Sequence, residues 1–428
     1  MKSHFWATTI LLIFGLIFTL HSYSHSQIFE VRDAGYYDKI IDMNDDGAFI
    51  TTKRVLLPNG EIGTVGVLVL PDSAYGLPPG ENRLYGLDST KSVLWLSALN
   101  NLGEVVGLSY NSDGSYRPTK WVSGQPEEIH NPAGDELLRP RDINDSGMIC
   151  GDMVMTDGKT TEPFSLDGAQ LVNLWPVTCD DSTHHGGGNK INIDGDIIGF
   201  GYCNIDAEVW ISWEGIWRGG ALPLEEFEEF IDTLFGINNL NNVGQILAGL
   251  RISDTNRVII LEAGGQQTVL PLPDSMNSAG AKAINDFGQV VFSTSYPYDP
   301  DYGCSRGRAF LWLPEDAYGL TAGSYNLHDL IYPQYASSSY IFSRPLVINN
   351  QGQILVEATI GECPYSSTST RWFILTPAAP AGLVINSRDD EPDISPGDGI
   401  CATSDDDCTL RAAIIDRKST RLNSSHRL

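Results

Sequence analysis

The sequence predicts an all-β fold built from repeated sheets, and three observations carry that expectation. One phrase recurs seven times: an apolar residue, Asn, two variable residues, Gly, one residue and two further apolar residues. Successive Asn residues lie 56, 44, 48, 49, 44 and 64 positions apart, close to the length of one β-propeller blade. With 42% apolar residues, 43 Gly and 23 Pro, the composition is that of a folded, turn-rich chain. At 428 residues the chain is longer than the roughly 250 to 300 at which one core stops growing, so growth by repetition is expected. These observations predict a seven-bladed β-propeller-like repeat domain over residues 27–378.

The N-terminus carries Lys2, an apolar run from Phe5 to Leu20 and a polar stretch from His21 to Gln27, the layout of a secretory signal peptide. The sixteen residues of that run reach about 24 Å as a helix, short of a hydrocarbon core of about 30 Å. Residues 1–26 therefore read as a signal peptide cleaved near Ser26, giving a secreted protein with no membrane span after cleavage.

The phrase pairs Asn44 with Gly47, Asn100 with Gly103, Asn144 with Gly147, Asn192 with Gly195, Asn241 with Gly244, Asn285 with Gly288 and Asn349 with Gly352. Asn followed three residues later by Gly is a turn signature, with Gly taking a positive φ. Adjacent apolar residues follow, such as Val105-Val106 and Ile354-Leu355. Neighbours on a strand point to opposite faces, so both faces are expected to be buried. Gly107, Gly151 and Gly199 come next, where a missing side chain permits close backbone approach. About twenty residues after each Asn a second strand recurs, marked by Trp121, Phe164, Trp210, Trp312 or Trp372 in five units. The matching stretches Leu70 to Leu77 and Leu313 to Leu320 are expected to project as long loops. The seventh unit runs only to Thr376 before Pro377 and lacks one strand. Ile28 to Val31 is expected to supply it, removing the free edge.

Gly307-Arg308-Ala309-Phe310-Leu311-Trp312, together with the repeated phrase, resembles the HAF repeat of extracellular bacterial proteins over about residues 30 to 378, with Arg308 where that family has His. The resemblance implies a secreted repeat protein without established catalytic residues. After a 379–382 linker, residues 383–415, with Pro396-Gly397-Asp398-Gly399-Ile400-Cys401 and Cys408-Thr409-Leu410-Arg411-Ala412-Ala413-Ile414, resemble the CSLREA domain. That resemblance implies the start of a parallel β-helix module, here truncated. Residues 416–428 change composition abruptly, with four basic residues and no acid in the last twelve, and read as a sequencing or assembly artefact.

A net charge of -27 excludes an extended basic surface for nucleic acid or anionic lipid. Seven Cys in an exported chain imply bridges with one left over. Cys401 with Cys408 is the most credible pair; the pairing of Cys179, Cys203, Cys304 and Cys363 stays open, Cys179 with Cys203 and Cys304 with Cys363 being one arrangement of those that remain, and Cys150 is the candidate free thiol. No cofactor is expected. The weak metal candidates are Asp389, Asp390, Asp393 and Asp398, for loosely held calcium; adjacent His184 and His185 diverge on an extended chain. Asp42-x-Asn44-x-Asp46-Gly47 matches half an EF-hand loop, but Lys53 stands where a bidentate Glu is required. Asp45, Asp46, Asp194 and Asp286 lie in turns that together would form an acidic rim, although turn preference already accounts for them. Trp210, Trp213 and Trp217 offer either a carbohydrate-stacking platform or core packing. The preferred function is a non-catalytic interaction or adhesion scaffold whose partner is an extracellular glycan or protein. The alternative is a carbohydrate-active enzyme or glycan-binding module, to be recognised by two carboxylates about 5 to 10 Å apart in a pocket with an aromatic wall.

Overall fold

The computed structural model describes residues 28–378 apart from 133, 135, 176–183, 207–208, 223, 227–233, 253, 263–264, 273–275, 277, 296–306, 332–339 and 361–369. Seven four-stranded antiparallel blades follow one another, with innermost strands Ile40–Met43, Val93–Leu99, Leu137–Ile143, His184–Ile191, Leu234–Leu240, Ser278–Ile284 and Tyr340–Ile348. Blades 3 and 4 also touch through one parallel bridge, Thr161 to His185. The apolar pairs after each turn are buried, as both-face packing requires: Phe49, Ile50, Val105, Val106, Ile149, Cys150, Ile197, Ile198, Ile246, Leu247, Val290, Val291, Ile354 and Leu355.

Blade 7 is closed by the N-terminus. Phe29–Gly35 lies antiparallel to Thr370–Pro377, with Val31 opposite Leu375 and Gly35 opposite Trp372. Phe29 is fully buried against Ile354, Val356 and Leu375 of that blade. The first and last strands thus share one sheet, and no free edge is left where the ring meets itself.

Every innermost strand carries the same irregularity. The register slips by one residue three positions before each Asn, leaving Ile41, Ser97, Arg141, Asn189, Asn238, Lys282 and Leu346 unpaired. Each slip is a β-bulge, which re-aims a side chain. Gly107, Gly151 and Gly199 face these strands, and a Cβ on any of them would meet the backbone carbonyl of Trp95, Arg139 or Gly187. In these three blades the bulged strand lies where a side chain on its neighbour would clash, while Thr51, Ala248, Phe292 and Val356 hold the same place in the other four. Pro140 and Pro345 precede two of the bulges and are tolerated because the innermost strand is an edge facing the channel.

The matched insertions do not project, contrary to the sequence expectation. Tyr75 folds back so that its hydroxyl donates to Asp46 Oδ2 (2.7 Å) and accepts from Asn44 Nδ2 (2.8 Å). Its ring covers Gly103 of the next blade, and Tyr318 covers Gly352 in the same way. The Tyr318 hydroxyl donates to Gln289 Oε1 at 2.6 Å. Both tyrosines hold positive φ, 56° and 58°, a strained conformation for a bulky residue that the packing must maintain. The matching stretches suggested loops; the ring-on-glycine contact makes each insertion a latch between blades 1 and 2 or 6 and 7.

Cys150 is buried and free, and burial raises its thiol pKa well above the ordinary range. Cys203 is disulfide-bonded, to a partner outside the described residues. Cys179, Cys304, Cys363, Cys401 and Cys408, the acidic candidates Asp389, Asp390, Asp393 and Asp398, the signal peptide and everything after residue 378 also lie outside them.

Candidate binding site in the central channel

Each turn Gly has φ between 71° and 86°, and its N–H donates to the carbonyl of the Asn three residues earlier. The Asn side chain does two further things. Its Oδ1 accepts the backbone N–H four residues on, in all seven turns. Its Nδ2 crosses to the next blade and donates to the carbonyl of the next Asn, at 2.8 to 3.5 Å. The last of these bonds runs from Asn349 to Asn44, so the series closes on itself. Sequence reasoning assigned Asn to its own turn and missed this ring. Only a side chain with both an acceptor and a donor satisfies the two demands at once.

The residues after the Asn make a second circuit. Backbone N–H groups of Asp45, Asn101, Ile193, Asn242, Asp286 and Asn350 each donate to the side chain of the corresponding residue in the next blade. The amides of Asn101, Asn242 and Asn350 donate to the Oδ2 atoms of Asp45, Asp145 and Asp286. Asp45 and Asp286 are therefore engaged in structure, which corrects the acidic-rim reading for them, and Asp46 is held by Tyr75. The half EF-hand match is likewise structural: Asp42 accepts from the N–H groups of Met43 and Leu99.

Away from the Asn ring, the channel changes character. All seven bulge residues line one of two cavities, of about 330 and 550 Å³, which meet at Lys190 and Asn238. The larger one, at the mouth, takes Lys39, Trp95, Arg139, Arg141, Lys190 and Asp152 into its wall. Arg139 stands opposite Asp152 in the strand register and pairs with it. Arg141 Nε donates to the other Asp152 oxygen at 2.6 Å, while its Nη1 reaches Asn189 Oδ1 at 3.3 Å. Deeper in, Lys190 Nζ donates to Asp142 Oδ1 at 3.2 Å, and Asp142 Oδ2 accepts from the Ile191 N–H. Burial pushes the Asp142 carboxyl pKa up. Burial also pulls on Lys190 in the opposite sense to Asp142 and Asp42, whose combined charge wins and holds its ammonium above the ordinary value. Half-buried Lys282 has a lowered pKa, from burial and then from Arg344.

The other described candidates resolve into packing, and the Trp210 side chain lies outside the described residues. His184 Nε2 bonds Glu162 Oε1 at 2.7 Å under the Trp175 ring, while His185 lies beside Thr161 and Tyr202. The two imidazoles diverge and share no ligand position. Trp213 and Trp217 are core residues, 3% and 0% exposed and edge-to-face at 5.4 Å, which removes them as a sugar platform. The exposed aromatic at the channel mouth is Trp95, which sequence reasoning passed over; the available signal was the variable column at and around the bulge when the seven phrases are aligned. Among the described residues no helix is long and apolar enough to cross a membrane, and no group of three His, Cys, Asp or Glu stands ready to hold a metal.

No family model matches the chain, and no curated protein matches it. Several solved structures are similar. The β-propeller domain of the Trilobed protease from Pyrococcus furiosus aligns at 13% identity and TM-score 0.48, covering 81% of this chain and 96% of that one. A structure of YCF48 bound to D1 peptide aligns at 12% and 0.44, covering 83% and 98%. TolB from Acinetobacter baumannii aligns at 14% and 0.35, and the match spans 63% of this chain and 62% of TolB. The assignment of this chain to the β-propeller fold rests on its own seven blades, closed by the N-terminal strand and by the ring of Asn bonds.

Proposed function

We propose that the protein is a secreted, non-catalytic binding scaffold whose working surface is the cation-lined mouth of the central channel. One observation carries this reading. Among the described residues lining the mouth cavity, the carboxylate is Asp152, and it is clamped between Arg139 and Arg141. A glycosidase-type site needs two carboxylates free to exchange protons or attack; among the described lining residues Trp95 supplies an aromatic wall and Asp152 stands as a single, already paired carboxylate. Asp42 and Asp142, deeper in the channel, spend their oxygens on backbone N–H groups and on Lys190. The HAF-like repeats then serve as the frame that holds the mouth, and the CSLREA-like segment leads toward a stalk. Export to the cell exterior fits the apolar run from Phe5 to Leu20. A glycan and peptide array probed with the purified protein tests the reading: saturable binding without change in the arrayed molecule is expected, and turnover of any arrayed glycan overturns it.

A further inference from the structure

We infer that the mouth cavity binds the carboxylate of an acidic sugar, a hexuronate at the end of a short oligosaccharide. The inference rests on the reading of the channel mouth as the binding surface and names the ligand chemistry for it. Four cations, Lys39, Arg139, Arg141 and Lys190, meet three carboxylates, Asp152 beside the arginines and Asp142 and Asp42 beside Lys190. An excess of one positive charge thus remains at the cavity in a chain whose net charge is -27. Lys39 makes no ion pair among the described residues and stands exposed at the rim. Arg139 Nε is buried without a hydrogen-bond partner, as is the Asp152 Oδ2 that faces Arg139, so the pair is held by charge and leaves that donor unused. Planar guanidinium donors suit a carboxylate, and a concave cavity of about 550 Å³ lies in the size range of small-ligand sites.

Two further features select a sugar from among anions. Trp95 is 37% exposed in the wall and offers an apolar face to a pyranose ring, while Asn189 and Asn238 supply amides for hydroxyl groups. The surrounding charge limits ligand length, because a long polyanion would leave the cationic mouth for an acidic surface that repels it.

Isothermal titration of the purified protein with trigalacturonate, its methyl ester, triglutamate and inorganic phosphate tests the inference. Trigalacturonate should bind, the ester should bind at least about ten-fold more weakly, and salt near 0.5 M should weaken the acid selectively. Lys39→Gln and Trp95→Ala alter exposed side chains, so each should weaken trigalacturonate about five-fold or more with an unchanged melting midpoint. Arg141→Gln should weaken it further. Equal binding of acid and ester, tighter binding of triglutamate or phosphate, or no binding of trigalacturonate overturns the inference. A different ligand lost on Lys39→Gln would leave the scaffold reading standing without it. Cleavage of bound trigalacturonate would do the reverse, ending the non-catalytic reading while keeping the anion site.

Discussion

Replacing Asn144 by Asp changes one atom of the ring and should make stability depend on pH. The side chain is 6% exposed. Its Oδ1 accepts from Ser146 N, Ser146 Oγ and Met148 N at 3.1, 2.7 and 2.9 Å, and its Nδ2 donates to Asn192 O at 2.8 Å. Aspartate keeps the first three bonds and turns the fourth into an oxygen facing an oxygen. Losing that bond costs about 0.5 to 1.5 kcal/mol, since the Asn192 carbonyl keeps the Gly195 N–H, and setting a buried charged oxygen against that carbonyl adds to it, for roughly 3 kcal/mol at neutral pH. The protonated acid carries an O–H that can donate to Asn192, so the cost fades in acid. In terms of linkage, a 3 kcal/mol penalty corresponds to a folded-state pKa about two units above the ordinary value near 3.9. A carboxyl whose pKa is raised by folding costs nothing well below its unfolded value, and the full penalty appears once pH exceeds the folded one. Urea midpoints of the variant and the unaltered protein, compared at each pH so that shared carboxylates cancel, should differ by about 1 kcal/mol at pH 4.5 and about 3 kcal/mol at pH 7.5. Asn144→Ala should instead lose about 2 to 4 kcal/mol at both. An equal loss for Asn144→Asp at the two pH values would show that Nδ2 is not the donor to Asn192.

Other expectations follow from single residues. Gly288 holds φ 71°, so Gly288→Val should lower stability by at least about 1 to 2 kcal/mol; an unchanged melting midpoint would refute the turn. Phe29 is fully buried where the chain's ends meet, and Phe29→Ala should cost about 3 to 5 kcal/mol. Amide exchange should then accelerate first in Phe29–Gly35 and Thr370–Pro377, and uniform acceleration around the ring would count against a local closure. Cys150, buried with its thiol pKa raised, should resist alkylation in the folded protein and react only on unfolding. Rapid labelling in native buffer would place it at the surface.

The repeated columns made the fold legible. Asn, Gly and the apolar pair recur because every blade needs the same reversal and the same two-sided burial, and their spacing counted the blades. The shortfall after Trp372 even pointed to the strand that closes the ring. Two things were not legible. The crossing from Asn44 Nδ2 to Asn100 O joins residues 56 positions apart, and no local pattern distinguishes an Asn that caps its own turn from one that also reaches its neighbour. The channel chemistry was hidden for the opposite reason. It sits where the repeats disagree, at Ile41, Ser97, Arg141, Asn189, Asn238, Lys282 and Leu346, and reading for what recurs discards that column. Trp213 and Trp217 drew attention by crowding in sequence, yet their crowding reflects the core between blades 3 and 4. Trp95, alone in its segment, lines the mouth.

The second circuit explains why one blade departs from the pattern. A ring in which amides donate to carboxylates wants Asp and Asn to alternate, and alternation around a closed ring requires an even number of members. Seven blades cannot satisfy it. Read from blade 5 around to blade 3, the residues are Asn242, Asp286, Asn350, Asp45, Asn101 and Asp145, six members in strict alternation. The seventh position is Ile193, which is 43% exposed and has no side-chain group to donate or accept. Placing Asp there would set two carboxylates side by side at Asp145, and placing Asn would pair two amides at Asn242. An apolar residue at the odd position avoids both conflicts, since its backbone N–H still reaches Asn242 Oδ1 at 2.9 Å. The break in the polar pattern is thus a consequence of the blade count, and it falls in blade 4, whose Lys190 and Asn189 carry the channel chemistry two and three residues before the same Asn.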